Sequence, residues 1–220
     1  MNIVEIKDIK KTYSQGQRDV PVLKGLSLNL KEGESLSIVG QSGSGKSTLL
    51  SILSGIENAD DGSYLLDKVD FFKMDEEEKV KLRSNKIGII FQQFHLLPHM
   101  TALENVLLPL EILGNTKGTD EAVELLSKIG LADRLNHFPD ELSGGEKQRV
   151  AIARAMIIKP KLILADEPSG SLDEKTGDDI MNLIFSLVKG EKTGLILVTH
   201  NQTLAKLCDH TLKLEHGILQ

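Results

Sequence analysis

Apolar and polar residues alternate in two stretches near the start of the chain, at residues 3–13 and 22–30. Alternation with a period of two is typical of strands that bury one face and expose the other. Polar turn segments follow these stretches, at residues 14–19 and 31–34, and a further short strand is predicted at residues 63–66. We expect these half-buried strands to form an antiparallel β subdomain.

Four later runs are apolar at consecutive positions, so both faces of each strand are predicted to be buried. Such runs are typical of parallel strands that are covered by helices on both sides. Helix-like spacing of apolar residues occurs between them, so the pattern predicts an α/β core with a parallel sheet flanked by helices. The four runs are residues 36–39, 87–91, 162–165 and 195–198.

Between the second and third apolar runs, the hydrophobic spacing changes to a helical period. We expect a helical subdomain over about residues 95–158, inserted into a single domain that spans residues 1–220. A short surface helix with acids in its first turn is also predicted at residues 75–84, where the acidic run is a solvated face. The helical positions are Leu103, Val106, Leu107 and Leu110, then Ala122, Leu125, Leu126 and Ile129, with a break at residues 114–118.

One glycine-rich stretch fits the phosphate-binding loop pattern G-x-x-x-x-G-K-[ST] and lies between an apolar run and a helix-patterned run. Glycines allow successive N–H groups to point at an anion, and the helix that follows adds its positive dipole end. Lys46 is expected to reach the β- and γ-phosphates, and the Ser47 hydroxyl to bind Mg²⁺. A flexible Gly/Ser turn is the alternative, which the strand and helix flanks disfavour. The predicted nucleotide-binding residues here are Gly40, Gln41, Ser42, Gly43, Ser44, Gly45, Lys46, Ser47 and Thr48.

Polar residues follow the other three apolar runs, at the strand ends where open parallel sheets bind ligands. Asp166 is suited to hold Mg²⁺, and Glu167 is suited to act as the general base that polarises an attacking water. Gln92 can offer its amide oxygen to the metal or to water, and His200 can donate to a γ-phosphate oxygen. Taken singly, each could be an ordinary loop residue, and Asp166 could be a helix cap before a solvated glutamate. Their shared position favours a catalytic site.

A second glycine-containing stretch, residues 142–148, precedes a helix-patterned segment at residues 150–158. Ser143 and Glu146 have capping-box spacing, and Gly144 and Gly145 leave the start of the helix open to close backbone approach. This pattern predicts a second anion-binding helix N-terminus. A capped helix after a glycine turn, without a ligand, is the alternative.

The chain as a whole resembles the ABC-type ATPases, because their sequence motifs occur here in family order and at family-like separations. Those motifs are the phosphate loop, Gln92, the stretch 142–148, Asp166 with Glu167, the turn 170–173, and His200. The resemblance implies ATP and Mg²⁺ as cofactors, and a head-to-tail homodimer in which each ATP is sandwiched by two subunits. One subunit contributes its phosphate loop, and the other contributes Ser143, Gly144 and Gly145. It also implies that Tyr13, otherwise a sheet-edge aromatic, stacks on adenine and that Asp173 helps to couple the two sites.

Within that family, the amino-acid sequence at residues 91–98, 101–106 and 165–168 is most similar to that of the lipoprotein-release (LolD-type) group. The macrolide-export (MacB-type) and cell-division (FtsE-type) groups are close alternatives. Ser169–Ser171 and Asn201 differ from the residues that are usual at these positions in this group. The resemblance implies an ATPase subunit that powers a polytopic membrane partner, with a docking surface around residues 94–101.

Composition adds limits on location and partners. The chain has 26 basic and 32 acidic residues among 220, which gives no support for a nucleic-acid surface. It has no bilayer-length apolar run and no basic-then-apolar leader at its N-terminus, and its lone Cys208 fits a reducing compartment. We expect a cytoplasmic protein that lies at the inner face of the cell membrane through a partner.

Two other functions are weighed against transport. ABC ATPases that act on DNA or ribosomes usually carry long coiled-coil or zinc-bearing insertions, or two cassettes in one chain, and this sequence has one cassette with a compact insertion. A regulator that binds ATP without hydrolysing it is disfavoured by the presence of both Glu167 and His200.

Overall fold

The computed structural model describes residues 1–16 and 18–220. Numbered along the chain, the strands are β1 (Asn2–Gln15), β2 (Arg18–Lys31), β3 (Ser35–Val39), β4 (Asp61–Leu66), β5 (Val69–Asp70), β6 (Ile87–Phe91), β7 (Leu162–Asp166), β8 (Gly194–Thr199), β9 (His210–Glu215) and β10 (Ile218–Leu219). The α-helices are α1 (Lys46–Leu53), α2 (Glu76–Lys86), α3 (Ala102–Ile112), α4 (Thr119–Lys128), α5 (Gly144–Met156), α6 (Glu174–Glu191) and α7 (Gln202–Ala205).

Two sheets of different kind organise these elements. The smaller sheet has the order β2-β1-β4-β5 and is antiparallel. The larger sheet has the order β10-β9-β3-β8-β7-β6, in which β9, β3, β8, β7 and β6 run parallel and β10 is antiparallel to β9. The predicted fold, a parallel sheet with an antiparallel β subdomain and inserted helices, is therefore confirmed.

Alternate residues of the central strands enter two different hydrophobic cores, as the period of a strand requires. In β7, Leu162 and Leu164 face the core shared with the antiparallel sheet and α1, whereas Ile163 and Ala165 face the core formed by α3, α4, α5 and α6. Burial on both faces explains why these strands read as continuous apolar runs.

Helices α3 and α4 coincide with the two helical patterns in the sequence, and their predicted apolar positions are buried or packed against the helical core. In α2 the capping box formed by Asp75 and Glu78 is present, and its first-turn acids are exposed. The core of the helical segment continues into β6, β7 and α6, so the subdomain boundary at about residues 95–158 stays a proposal. Across residues 1–16 and 18–220, no helix has both the length and the hydropathy to cross a bilayer.

Several boundaries differ from the sequence prediction. Strand β1 continues to Gln15 and β2 begins at Arg18, so the turn between them is shorter than the predicted 14–19. Gln17 lies outside the described residues. Helix α5 begins at Gly144, ahead of its apolar stretch, because the Ser143 side chain accepts a hydrogen bond from the Glu146 N–H. Strand β9 was not predicted, since only a short alternating pattern marks it.

The segment before α3 is fixed by one buried amide. Asn105 is fully buried, and its Oδ1 accepts from the Leu97 N–H at 2.8 Å. Its Nδ2 donates to the carbonyl oxygens of Leu97, Met100 and Thr101 at 3.2, 3.0 and 3.0 Å. One side chain thus holds much of the predicted docking segment in a single conformation.

We predict that Asn105→Ala lowers the free energy of unfolding by about 2–3 kcal/mol, because it leaves buried backbone groups without partners. Urea denaturation followed by circular dichroism measures this. Ser127→Ala is the control, since its exposed hydroxyl only bonds the Val123 carbonyl within α4, and it should change stability by less than about 0.5 kcal/mol. Equal, small effects of the two substitutions would contradict the prediction.

Candidate nucleotide site

A cleft of about 590 Å³ opens at the carboxyl ends of the parallel strands. The structure brings together in it most of the residues predicted from four separate strand ends. Gly40, Gln41 and Ser44 lie outside the lining of this cleft, and Gln41 and Ser44 instead face residues 213–216. The lining residues are Tyr13, Val22, Ser42, Gly43, Gly45, Lys46, Ser47, Thr48, Gln92, Asp166, Glu167 and His200.

The loop between β3 and α1 has the backbone geometry that phosphate binding needs. Gly43 and Gly45 have φ angles of 78° and 106°, which favour glycine. A Cβ at Gly45 would also lie 2.8 Å from Leu23 Cδ2, so α1 can begin there only with a glycine cap. The Lys46 ammonium donates to the carbonyl oxygens of Gly40 and Gln41 at 2.8 and 2.9 Å, which keeps this cation inside the loop.

Glu167 is held by donors from the end of the neighbouring strand. Its carboxylate accepts from Thr199 Oγ1 at 3.1 Å and from the His200 N–H at 2.9 Å, and the His200 Nδ1 lies 2.7 Å from Oε1. Its backbone has a positive φ of 47°, a conformation that a glutamate rarely adopts. This arrangement is not the solvated glutamate of the alternative interpretation, because the side chain is only 17% exposed.

The contact with Glu167 also constrains what His200 can do. When Nδ1 carries a proton and donates to Glu167, a neutral ring presents Nε2 only as an acceptor. Donation from Nε2 to a phosphate oxygen then requires a doubly protonated ring or a break in this contact. The predicted role of His200 therefore depends on its partnership with Glu167.

Asp166 ends β7 and is half-buried, with an environment suited to a cation. Burial raises the pKa of the Asp166 carboxyl, the neighbouring Glu167 carboxylate raises it further, and Lys46 lowers it. Asp166 lines the cleft together with Ser47 and Gln92, and the side chains of all three carry oxygen atoms of the kind that could hold Mg²⁺. In the described part of the chain, no three His, Cys, Asp or Glu side chains form a metal cluster.

Tyr13 lies at the rim of the cleft, on β1, and is 36% exposed. The Lys11 ammonium lies 5.2 Å from the centre of its ring and is fixed by Glu57 at 2.8 Å. The Tyr13 hydroxyl also reaches Glu57, at 3.5 Å. A supported ring at this position is available for stacking on a base.

Ser143, Gly144, Gly145 and Asp173 do not line this cleft; they adjoin one another on a different part of the same chain. A Cβ at Gly144 would lie 3.2 Å from Leu172 Cδ2, and one at Gly145 would lie 2.7 Å from Thr176 Cγ2. Asp173 caps α6, where its Oδ1 accepts from the Thr176 N–H at 3.1 Å. The predicted nucleotide residues therefore fall into two groups.

Three supporting residues were not predicted from the sequence, and a fourth, Thr199, was predicted only as a polar residue at the end of its strand. Lys11 is buried although it lies in an alternating strand, and Val22 lines the cleft from β2. Thr199 holds Glu167, and Gln148 is a fully buried amide within α5. The sequence signal for the last two is position: Thr199 ends an apolar run, and Gln148 lies within the stretch 142–148.

Comparison with known proteins agrees with the motifs. The sequence model of the ABC transporter family matches residues 23–170. The chain belongs to the ABC transporter family. It is an ABC-type ATPase, and the fold predicted from its motifs is that of an ABC ATPase cassette.

Relatives of this ABC ATPase cover its full length. It is 47% identical to the uncharacterised ABC transporter ATP-binding protein YbbA of Escherichia coli K12, across 100% of this chain and 97% of the relative. It is 44% identical to the lipoprotein-releasing system ATP-binding protein LolD of Treponema denticola, across 100% and 98%. It is 40% identical to the macrolide export ATP-binding/permease protein MacB of Syntrophobacter fumaroxidans, across 100% of this chain but 31% of that protein.

A solved structure is also similar to this ABC ATPase. It is the dimeric, post-hydrolysis state of the ATP-binding cassette MJ0796 bound to ADP and Pi, with a TM-score of 0.89 and 40% sequence identity. The match covers 99% of this chain and 96% of that chain.

We predict that Glu167→Gln lowers kcat for ATP hydrolysis by about 10²- to 10⁴-fold, because an amide of the same shape cannot accept the proton of the attacking water. The affinity for ATP should change by less than a few-fold, since the phosphate loop is intact. Steady-state phosphate release and equilibrium ATP binding measure the two effects. Glu174→Gln, an exposed residue in the first turn of α6, is the control and should leave both unchanged. Undiminished hydrolysis by Glu167→Gln would refute the general-base assignment.

Proposed function

We propose that this chain is the ATP-hydrolysing subunit of a transporter complex and that it powers a polytopic membrane partner. The observation that carries the proposal is the full-length similarity to LolD, joined to a phosphate cleft whose lining includes Lys46, Glu167 and His200. In this assignment Glu167 is the general base, His200 works with it, and Tyr13 stacks on adenine.

In this proposal the cleft is one wall of the ATP site. The groove of the phosphate loop holds the nucleotide, and Ser47, Gln92 and Asp166 hold Mg²⁺, which would offset phosphate charge when bound. Ser143, Gly144 and Gly145 of a second copy supply the other wall, with Asp173 coupling the two sites. The dimeric MJ0796 structure and the separation of the two groups of residues within one chain support this arrangement.

An apolar groove of about 340 Å³ beside β6 is suited to a membrane partner. We call it the β6 groove; it lies between α2, β6, α3 and α5, along the edge strand of the larger sheet. Arg154, in its lining, donates to the carbonyl oxygens of Phe94 and His95 at 2.8 and 2.6 Å, which ties the groove to the docking segment at 94–101. The groove residues are Arg83, Ser84, Ile87, Gly88, Ile89, Phe91, Leu108, Pro109, Ile112, Arg154, Ala155 and Ile158.

The partner would hold this subunit at the cytoplasmic face of the cell membrane. Lipoprotein release from the inner membrane is the proposed task, because LolD proteins of several organisms align with 98–100% of this chain at 43–45% identity. Macrolide or peptide export, or a cell-division role of the FtsE type, is the alternative, which the similarity to MacB keeps open.

We predict that the tagged chain, purified from detergent-solubilised membranes of its own host, brings down a polytopic membrane protein. Ile112→Glu, at the rim of the β6 groove, should lose that protein by at least tenfold because it places a charge where an apolar surface docks. Ile56→Glu is the matched control: Ile56 and Ile112 are 66% and 69% exposed, but Ile56 lies outside the groove. Quantitative mass spectrometry and ATP binding are measured for all three proteins.

Recovery of only ribosomes or DNA would overturn the transporter assignment. Equal recovery of the membrane protein with Ile112→Glu would place docking elsewhere. The purified complex, reconstituted in vesicles, then separates the branches: ATP-dependent release of a lipid-modified protein supports lipoprotein release. ATP hydrolysis without release, together with export of a macrolide, supports the alternative.

A further inference from the structure

A buried amide in α5, that of Gln148, connects the helix that begins at Gly144 to the ends of two strands of the ATP site. Gln148 is fully buried and lies one helical turn after Gly144, about 6 Å along the axis of α5. Polar side chains are rarely buried in this way without a specific set of hydrogen bonds.

The Gln148 Nε2 donates to two carbonyl oxygens from different strand ends. It bonds the Pro168 oxygen at 2.6 Å and the Phe91 oxygen at 3.3 Å. Because both partners are carbonyls, the NH₂ group must face them, which fixes the orientation of the amide. Among the described residues, the opposite atom, Oε1, has no hydrogen-bond partner.

Both acceptors are next to groups assigned to the ATP site. Phe91 ends β6 immediately before Gln92, and Pro168 immediately follows Glu167. Strands β6 and β7 are neighbours, with Phe91 paired to Asp166. A single NH₂ group therefore connects the helix that begins at Gly144 to the backbone on both sides of this strand pair.

Close packing makes the connection stiff. A Cβ at Gly145 would lie too close to Thr176, and one at Gly144 would be tight against Leu172. The Ser171 hydroxyl donates to the Gln92 carbonyl at 3.0 Å. The start of α5, the turn before α6 and the Gln92 loop thus pack against one another, and Gln148 bonds the carbonyl groups next to Gln92 and Glu167. A displacement of α5 by a ligand at its N-terminus would be transmitted to these carbonyls, since packed interiors deform little.

We propose that Gln148 is a positioning residue that couples the two ATP sites of the dimer. In the dimer, ATP bound in the phosphate loop of one subunit contacts Ser143–Gly145 of the other subunit. We infer that this contact acts through Gln148 of that second subunit on its own Gln92 and Glu167. This inference rests on the proposed two-chain ATP site. It predicts that the Gln148 side chain makes ATP hydrolysis at each site depend on whether the other site is occupied.

The unpaired Oε1 supports a function beyond packing. Methionine or leucine would fill a similar volume without leaving a buried acceptor unsatisfied, and an unpaired buried acceptor is destabilising. The amide nitrogen instead donates to the carbonyl oxygens at two strand ends of the site, a connection that an apolar side chain could not make.

The test is Gln148→Met, which keeps length and removes the donor. We expect kcat to fall at least tenfold and the Hill coefficient for ATP to fall from above one to about one. The affinity of the single chain for ATP, measured by equilibrium binding in EDTA, should stay within twofold. Gln148→Leu is the second variant if the methionine protein does not fold.

Thr193→Val is the matched control. Thr193 is also buried and donates to a proline carbonyl, that of Pro160 at 2.9 Å, but at the opposite end of the parallel sheet, before β8 and β7. It should lower Tm without changing kcat or the Hill coefficient. If Gln148→Met behaves like Thr193→Val, Gln148 is only structural and the inference is overturned.

Measurements on the protein without the Gln148 substitution distinguish a failure of the Gln148 inference from a failure of the proposed function. Cooperative hydrolysis by the parent with an unaffected Gln148→Met leaves the two-chain site standing and removes the role of Gln148. A parent protein that hydrolyses ATP with a Hill coefficient of one overturns the coupling alone. A Glu167→Gln protein that stays a single chain in saturating ATP contradicts the two-chain site itself, and the inference with it.

Discussion

The register of the parallel strands is the constraint on which the site depends. Val39 pairs with Thr199, Val198 pairs with Asp166, and Asp166 pairs with Phe91, so four strands end at nearly the same level. With adjacent strands about 4.8 Å apart, the chain segments that follow them emerge within about 14 Å of one another. The phosphate loop, Gln92, Glu167 and His200 meet for this reason, although they are far apart in sequence. A slip of one residue in any of these pairings would turn each side chain of that strand to the other face.

Charge explains why these groups form an incomplete site. Two adjacent carboxylates, Asp166 and Glu167, are partly buried at one strand end, and the pKa of Asp166 is raised by burial and by its neighbour. The Lys46 ammonium and the donors of Thr199 and His200 offset part of that charge. A bound divalent cation would offset more of that charge, and the second group of residues at the start of α5 offers anion-binding geometry on a different surface. In the proposed arrangement, the two groups are halves of an ATP site that two copies of the chain complete together.

The fold was predictable where burial leaves a periodic signal. Strands β3, β6, β7 and β8 are buried on both faces and were visible as apolar runs, and helices α3 and α4 were visible from their spacing. Strand β9 was missed because its short alternating stretch has little apolar content. The strand-end residues of the site were predictable because chemistry restricts their type. Supporting residues such as Lys11, Asn105 and Gln148 were not, because their importance comes from tertiary contacts that no local pattern records.

The central claim is that ATP closes two copies of this chain around the nucleotide, and the molar mass tests it most directly. Sedimentation equilibrium of the Glu167→Gln protein should give twice the mass of one chain with ATP and the mass of one chain with ADP. Adding Ser143→Arg places a large, positively charged side chain at the start of α5, where the second subunit is proposed to contact ATP. The ATP-bound protein should then have the mass of a single chain. A single-chain mass in saturating ATP, or a dimer that ignores both the nucleotide and Ser143→Arg, would contradict the account.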